Sequence, residues 1–133
     1  MSTPKARLML GCLAVVLVGA ATIAAIVPRA GLSRRPVQEI RLVARDMAYY
    51  ADGNSAPNPT LTVRRGEQVR IVLRNEDPGM IHDFTVPAWN AITRRLNAGE
   101  EAVLQFKAPE QPGVGTYSCS PHGELMRGTI RVE

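Results

Sequence analysis

An antiparallel β-sandwich of about seven to eight short strands, preceded by one N-terminal transmembrane helix, is the fold predicted by three features of this 133-residue sequence. The first is a charge-free run of twenty residues near the start, Leu8 to Val27. The second is a period-two alternation of apolar and polar residues in segment after segment beyond residue 38. The third is the regular recurrence of turn signals with no long amphipathic helix between them. A chain of this length has room for one hydrophobic core of ordinary size, and a hydrophobic fraction of 45% is ample to fill it.

Residues 1–7 form a short tail, and residues 8–27 the membrane segment. About 20 apolar residues in a helix cross about 30 Å of hydrocarbon, so Leu8–Val27 fits an uncleaved anchor that stops at Pro28-Arg29. A cleaved signal peptide is the alternative, with Lys5 and Arg7 ahead of the apolar core and Val18-Gly19-Ala20 as the small-residue cleavage site. Both readings send the domain to the exported side, periplasmic or extracellular, either tethered or soluble. Cys12 lies within this run as a small apolar residue, which leaves Cys119 without a partner in a compartment where disulfides form readily. Residues 28–38, with two prolines, a glycine and three arginines, read as a linker.

The globular domain is assigned to residues 39–133. Ile40, Leu42 and Ala44 alternate with Glu39, Arg41 and Arg45; Leu61 and Val63 with Thr60, Thr62 and Arg64; Val69, Ile71 and Leu73 with Gln68, Arg70 and Arg74; and Leu104 and Phe106 with Gln105 and Lys107. Further strands are expected at 81–86, 114–119 and 127–132. Asp52-Gly53-Asn54, Arg65-Gly66-Glu67, Asp77-Pro78-Gly79, Asn97-Ala98-Gly99 and Gln111-Pro112-Gly113 supply the turns.

Charge excludes one class of partner. The net charge of +4 comes from residues 1–35, which hold five basic residues and no acidic one; residues 36–133 hold eleven basic and twelve acidic residues and offer no basic face to a nucleic acid. Trp89 and the pair Tyr49-Tyr50 read as packing, as do Met47 and Met80, and the pairs Arg64-Arg65 and Arg94-Arg95 as solvated faces.

The chemistry-bearing residues are few and close together. In the expected strand 81–86, His82 shares a face with Phe84 and Val86, so it points toward the core. Cys119 shares a face with Tyr117, and His122 and Met126 follow within the segment Cys119-Ser120-Pro121-His122-Gly123-Glu124-Leu125-Met126. A thiolate, two imidazoles and a thioether brought to one end of a sandwich are the ligand types of a mononuclear type 1 copper site. A covalent haem motif is absent, a second copper centre has no histidines left to form it, and closed zinc sites leave the methionine unexplained.

From Glu39 to Glu133 the chain resembles the cupredoxin family, the plastocyanin-, amicyanin- and azurin-like blue copper proteins. The segment T-Y-S-C-S-P-H-G-E-L-M-R-G-T-I-R-V, residues 116–132, looks like the plastocyanin-type copper loop running into the last strand. The resemblance implies a Greek-key sandwich in which His82, Cys119, His122 and Met126 bind one copper that cycles between Cu(I) and Cu(II), both histidines through Nδ1. It implies that the His122 ring edge, near Met80, Pro121 and Gly123, is the port for electrons. Around the ligands it points to Asp83, Ser120 and Pro121. Asp83 stands where the family usually has Asn bridging to the hydroxyl residue after the cysteine, and a hydrogen bond between Asp83 and Ser120 is still open to it. Pro121 has no N–H, which leaves the Asp83 amide as the donor to the Cys119 sulfur. The function implied is a one-electron carrier between redox proteins, a cytochrome or a respiratory or photosynthetic complex, and no enzyme with a small-molecule substrate. A copper-delivery or copper-tolerance protein is the alternative.

Overall fold

The computed structural model describes residues 36–133, which form nine strands: β1 (Gln38–Arg45), β2 (Ala48–Ala51), β3 (Leu61–Val63), β4 (Gln68–Asn75), β5 (Thr85–Val86), β6 (Ala91–Ile92), β7 (Glu101–Lys107), β8 (Gly113–Ser118) and β9 (Arg127–Val132). They build two sheets in the orders β2-β1-β4-β7 and β3-β9-β8-β5-β6. Among these residues no helix is long and apolar enough to cross a membrane. The tail, the segment Leu8–Val27, Cys12 and most of the linker lie outside the described residues. Gln38, assigned to the linker from the sequence, is the first residue of β1; its side chain donates to the Thr62 carbonyl at 2.7 Å and accepts the Arg64 N–H at 3.1 Å, so it ties the two sheets together.

The inward sets are those the alternation predicts. Leu42 and Ala44 of β1, Val69, Ile71 and Leu73 of β4, and Leu61 and Val63 of β3 are all buried in one core cluster. Each of these Leu, Val and Ile side chains removed from water contributes about 1.5–3 kcal/mol. At the centre Tyr49, Phe84 and Tyr117 pack together, Tyr49 edge-on to both others and Phe84 stacked on Tyr117 with centroids 5.2 Å apart. Tyr117 lies across β9 directly over Gly128, its cross-strand partner, where any Cβ would collide with the phenol ring.

Two expectations are corrected. The sandwich is not wholly antiparallel: β1 runs parallel to β4, with Ile40 opposite Ile71, and β3 runs parallel to β9, with Leu61 opposite Ile130. Between β1 and β4 the chain makes a hairpin and visits the other sheet, so it returns beside β1 heading the same way. A period-two pattern reports which side chains face inward and is silent on strand direction. The expected strand 81–86 is also shortened to Thr85–Val86, with His82 held by a single bridge to Leu96. Both His82 and Asp83 are buried, which an ordinary surface strand with alternating sides does not do.

β2 and β6 are additional short strands. β1 turns into β2 through Asp46 and Met47 alone, both at positive φ (50° and 57°), a two-residue turn of the mirror-image type that suits the twist of a hairpin. Pro87–Trp89 form a 3-10 turn that ends at Asn90 (φ 51°) and leads into β6.

Candidate metal centre

One end of the sandwich is closed by two segments, the crossing between β4 and β5 and the loop between β8 and β9. The second is folded on itself by backbone hydrogen bonds. The Cys119 N–H donates to the Met126 carbonyl at 2.9 Å, and the His122 N–H to the Cys119 carbonyl at 3.2 Å. The His122 carbonyl accepts from Leu125 and Met126 at 3.0 and 2.9 Å. The eight residues thus form compact turns whose two ends meet, and β8 and β9 pair from there onward. On the other segment, His82 exchanges both backbone hydrogen bonds with Leu96, at 3.1 and 2.7 Å.

These two anchors bring three ligand atoms together. Cys119 Sγ lies 3.7 Å from His82 Nδ1 and 3.7 Å from His122 Nδ1. All three atoms fall within 4.8 Å of one another, and the two imidazoles meet edge to face at 5.1 Å. For bonds of about 2.0 Å to nitrogen and 2.3 Å to sulfur, ligands spread at 120° sit about 3.7 Å apart, so the cluster has the span of a single metal ion's coordination plane. Met126 is buried in the core cluster with Cys119, and its backbone is bonded to both Cys119 and His122. His82 and Cys119 are fully buried, whereas His122 is half-buried.

The His122 ring lines a shallow concavity of about 300 Å³ with Gly79, Met80, Ile81, Arg95 and Pro121. Met80 therefore stands beside the half-buried histidine, where the resemblance places it. Gly123 lies in the adjoining turn.

Burial pushes the Cys119 thiol pKa up, against the lowering pull of the Asp83 and His122 backbone N–H groups. A soft sulfur and two imidazole nitrogens gathered at one largely buried point are a donor set that suits a copper ion.

Asp83 and Ser120 are joined through the Ser120 backbone: Asp83 Oδ1 accepts the Ser120 N–H at 2.6 Å. Asp83 Oδ2 lies 4.0 Å from Nε of Arg95, whose side chain is largely exposed, in keeping with a solvated face. The Asp83 carbonyl accepts the Tyr49 hydroxyl. Burial drives the Tyr49 phenol far above its ordinary pKa, with Cys119 and Asp83 adding to the effect, so it remains a donor.

Asp77 and Asn75 escaped the sequence reading, in which Asp77 was part of a turn. Asp77 Oδ2 lies 3.0 Å from His82 Nε2, and the Met47 N–H donates to the same oxygen at 3.1 Å. The Met47 N–H above all, and His82 with it, hold the Asp77 carboxyl below its usual pKa. Asn75 continues the inward register of Leu73 and is fully buried; a polar residue at an inward position of β4 was the available signal.

The model of the copper-binding proteins of the plastocyanin/azurin family matches residues 57–133. No curated protein sequence matches the chain. Among solved structures, auracyanin B superposes with a TM-score of 0.59 at 22% identity, covering 74% of this chain and 91% of that one. Auracyanin A, a "blue" copper protein from the green thermophilic photosynthetic bacterium Chloroflexus aurantiacus, gives 0.59 at 20% identity, covering 74% and 100%. A Cu-containing nitrite reductase from Thermus scotoductus gives 0.56 at 27% identity, over 74% of this chain and 28% of that one.

Proposed function

This chain belongs to the copper-binding plastocyanin/azurin family, and from that premise we propose that it is a carrier of single electrons between redox proteins, working through one type 1 copper. The observation that carries the reading is the pair of 3.7 Å separations from Cys119 Sγ to the two Nδ1 atoms, formed by the protein alone. His82, Cys119 and His122 would hold the ion, with Met126 as the weak fourth ligand. Bound there, copper supplies a one-electron Cu(II)/Cu(I) couple.

The chain's own contribution is rigidity and exclusion of water. His82 is fixed by its backbone bridge to Leu96, Cys119 by its bond to the Met126 carbonyl, and His122 by the turns of the loop. Ligands held by backbone hydrogen bonds need little movement when charge changes, which keeps the reorganisation cost of electron transfer low. Buried His82 and Cys119 keep solvent from the centre, and the half-buried His122 gives it one edge at the surface, among Met80, Ile81 and Pro121. A partner's redox group would meet the protein there.

Leu8–Val27 would tether the domain to a membrane, with residues 36–133 on the exported side. In this reading the protein transforms no substrate of its own.

The test is the visible spectrum of the full-length protein in mild detergent after addition of Cu(II). A thiolate bound to Cu(II) in the plane of two imidazoles gives an intense sulfur-to-copper charge-transfer band, and Cys119→Ser removes it. A Cu(II)-loaded but colourless protein, or one that readily surrenders Cu(I) to a mild chelator, overturns the carrier reading in favour of copper delivery.

A further inference from the structure

The buried imidazole of His82 can carry its proton on either nitrogen, and an acceptor stands at each. Nδ1 is 3.7 Å from Cys119 Sγ, and Nε2 is 3.0 Å from Asp77 Oδ2. Only the Nε2–H form leaves the Nδ1 lone pair facing the cysteine. A carboxylate at 3.0 Å is a much stronger acceptor for the ring N–H than a sulfur at 3.7 Å.

Asp77 is held from two further directions. The turn between β1 and β2 gives it the Met47 N–H at 3.1 Å. Asp46 and Met47 are both at positive φ, which turns successive N–H groups to one side as a small anion cradle. Behind it, the Asp77 N–H donates to Asn75 Oδ1 at 2.9 Å, and Asn75 Nδ2 donates to the carbonyls of Met80 and Leu96 at 2.8 and 2.9 Å. Leu96 in turn bridges His82. Asp77 therefore sits in a closed circuit of hydrogen bonds that begins and ends at His82.

We propose that Asp77 is a positioning residue that fixes the proton of His82 on Nε2 and the plane of its ring, so that Nδ1 is presented to the metal position before any ion arrives. The inference rests on the copper reading of His82 and adds to it the residue that sets the ring. It also makes the β1–β2 turn, which contains none of the proposed ligands, part of the site's scaffold. A merely structural Asp77 would stabilise the loop without selecting the ring nitrogen that carries the proton.

The experiment is a long-range proton–nitrogen correlation spectrum of the metal-free, histidine-labelled full-length protein in detergent. With two histidines in the chain, His122→Ala assigns both rings. The wild type is expected to show His82 protonated at Nε2 with a free lone pair at Nδ1. Asp77→Ala is expected to move the proton to Nδ1, toward the cysteine, and to weaken Cu(II) binding about 10- to 100-fold. Asp77→Asn, which keeps a carbonyl acceptor, should restore part of both. Wild-type His82 protonated at Nδ1 overturns the proposal, and so does an Asp77→Ala protein with unchanged tautomer and affinity. If Asp77→Ala does not fold, the wild-type spectrum decides. A wild type with the Nε2–H tautomer and no visible copper band upholds Asp77's hold on the ring and overturns only the copper reading.

Discussion

Asp83 Oδ1 accepts the backbone N–H of Ser120 at 2.6 Å, so the residue after one proposed ligand is fastened to the residue after another. That bond joins the β4–β5 crossing to the β8–β9 loop beside the sulfur of Cys119. It also sets a carboxylate, 4.0 Å from Arg95, near the point where an electron would arrive.

Replacing Asp83 by Asn keeps an oxygen for the Ser120 N–H and removes the charge. Cu(II) loses more than Cu(I), and the reduction potential should rise by roughly 30–100 mV, with about 59 mV corresponding to a tenfold shift in the balance of the two states. The exposed guanidinium of Arg95 offsets part of the carboxylate's field, which keeps the effect moderate. Voltammetry that found an unchanged or lower potential, with the visible band intact, would remove Asp83 from the electrostatics of the site.

Met126→Leu tests the fourth ligand. The two side chains are near in volume, so the core should tolerate the exchange at a cost below about 1.5 kcal/mol. The colour should persist because the thiolate and imidazoles remain, and the potential should rise by several tens of mV, roughly the scale set for Asp83→Asn, since a weak axial sulfur favours Cu(II). Loss of colour with the fold intact would show that the thioether holds the plane together.

Gly128→Ala should destabilise the domain by about 1–3 kcal/mol, because the new Cβ meets the ring of Tyr117 and that ring is packed against Phe84 and Tyr49. Chemical denaturation of the metal-free protein measures it. A variant as stable as the wild type would mean that Tyr117 has room to move.

Glu100 accepts from the Asn97 N–H at 2.8 Å and from Arg94 at 3.0 Å, and in that order these donors hold its carboxyl below its ordinary 4.5. A group with a lowered folded-state pKa contributes its stability above the unfolded value and loses it as pH falls through the folded one. The stability gap between wild type and Glu100→Gln should therefore be small at neutral pH and close as pH drops below about 4.5. A gap that widened on acidification would contradict the assignment.

The charge-free segment Leu8–Val27 leads to the expectation that the full-length protein sediments with membranes and retains its N-terminus. N-terminal sequencing that began at Ala21 would show a cleaved signal peptide instead.

The inward faces and each half of the ligand set were legible from sequence because both depend on local spacing; the joining of the two halves followed from the family resemblance. His82 falls in phase with Phe84 and Val86, and Cys119, His122 and Met126 fall within eight residues, but the meeting of His82 with Cys119 spans 37 residues and depends on how the strands are ordered. Asp77 was hidden because its partners are Met47, thirty residues before it, and the far nitrogen of a histidine. The turn at Asp46-Met47 was hidden for a different reason: it has positive φ at two residues, neither of them Gly or Asn. The parallel pairing of β1 with β4 was invisible because alternation is the same read in either direction.

β9 is bordered on one side by β8, its neighbour in sequence, and on the other by β3, far earlier in the chain. The sandwich therefore closes by distant pairings, which places it among slow folders compared with helical bundles. Until β9 docks, Cys119 and His122 belong to a free loop and His82 to a separate crossing. Metal that met the chain at that stage would find a two-atom chelate open to water, so the timing of metal supply relative to folding decides which species forms first.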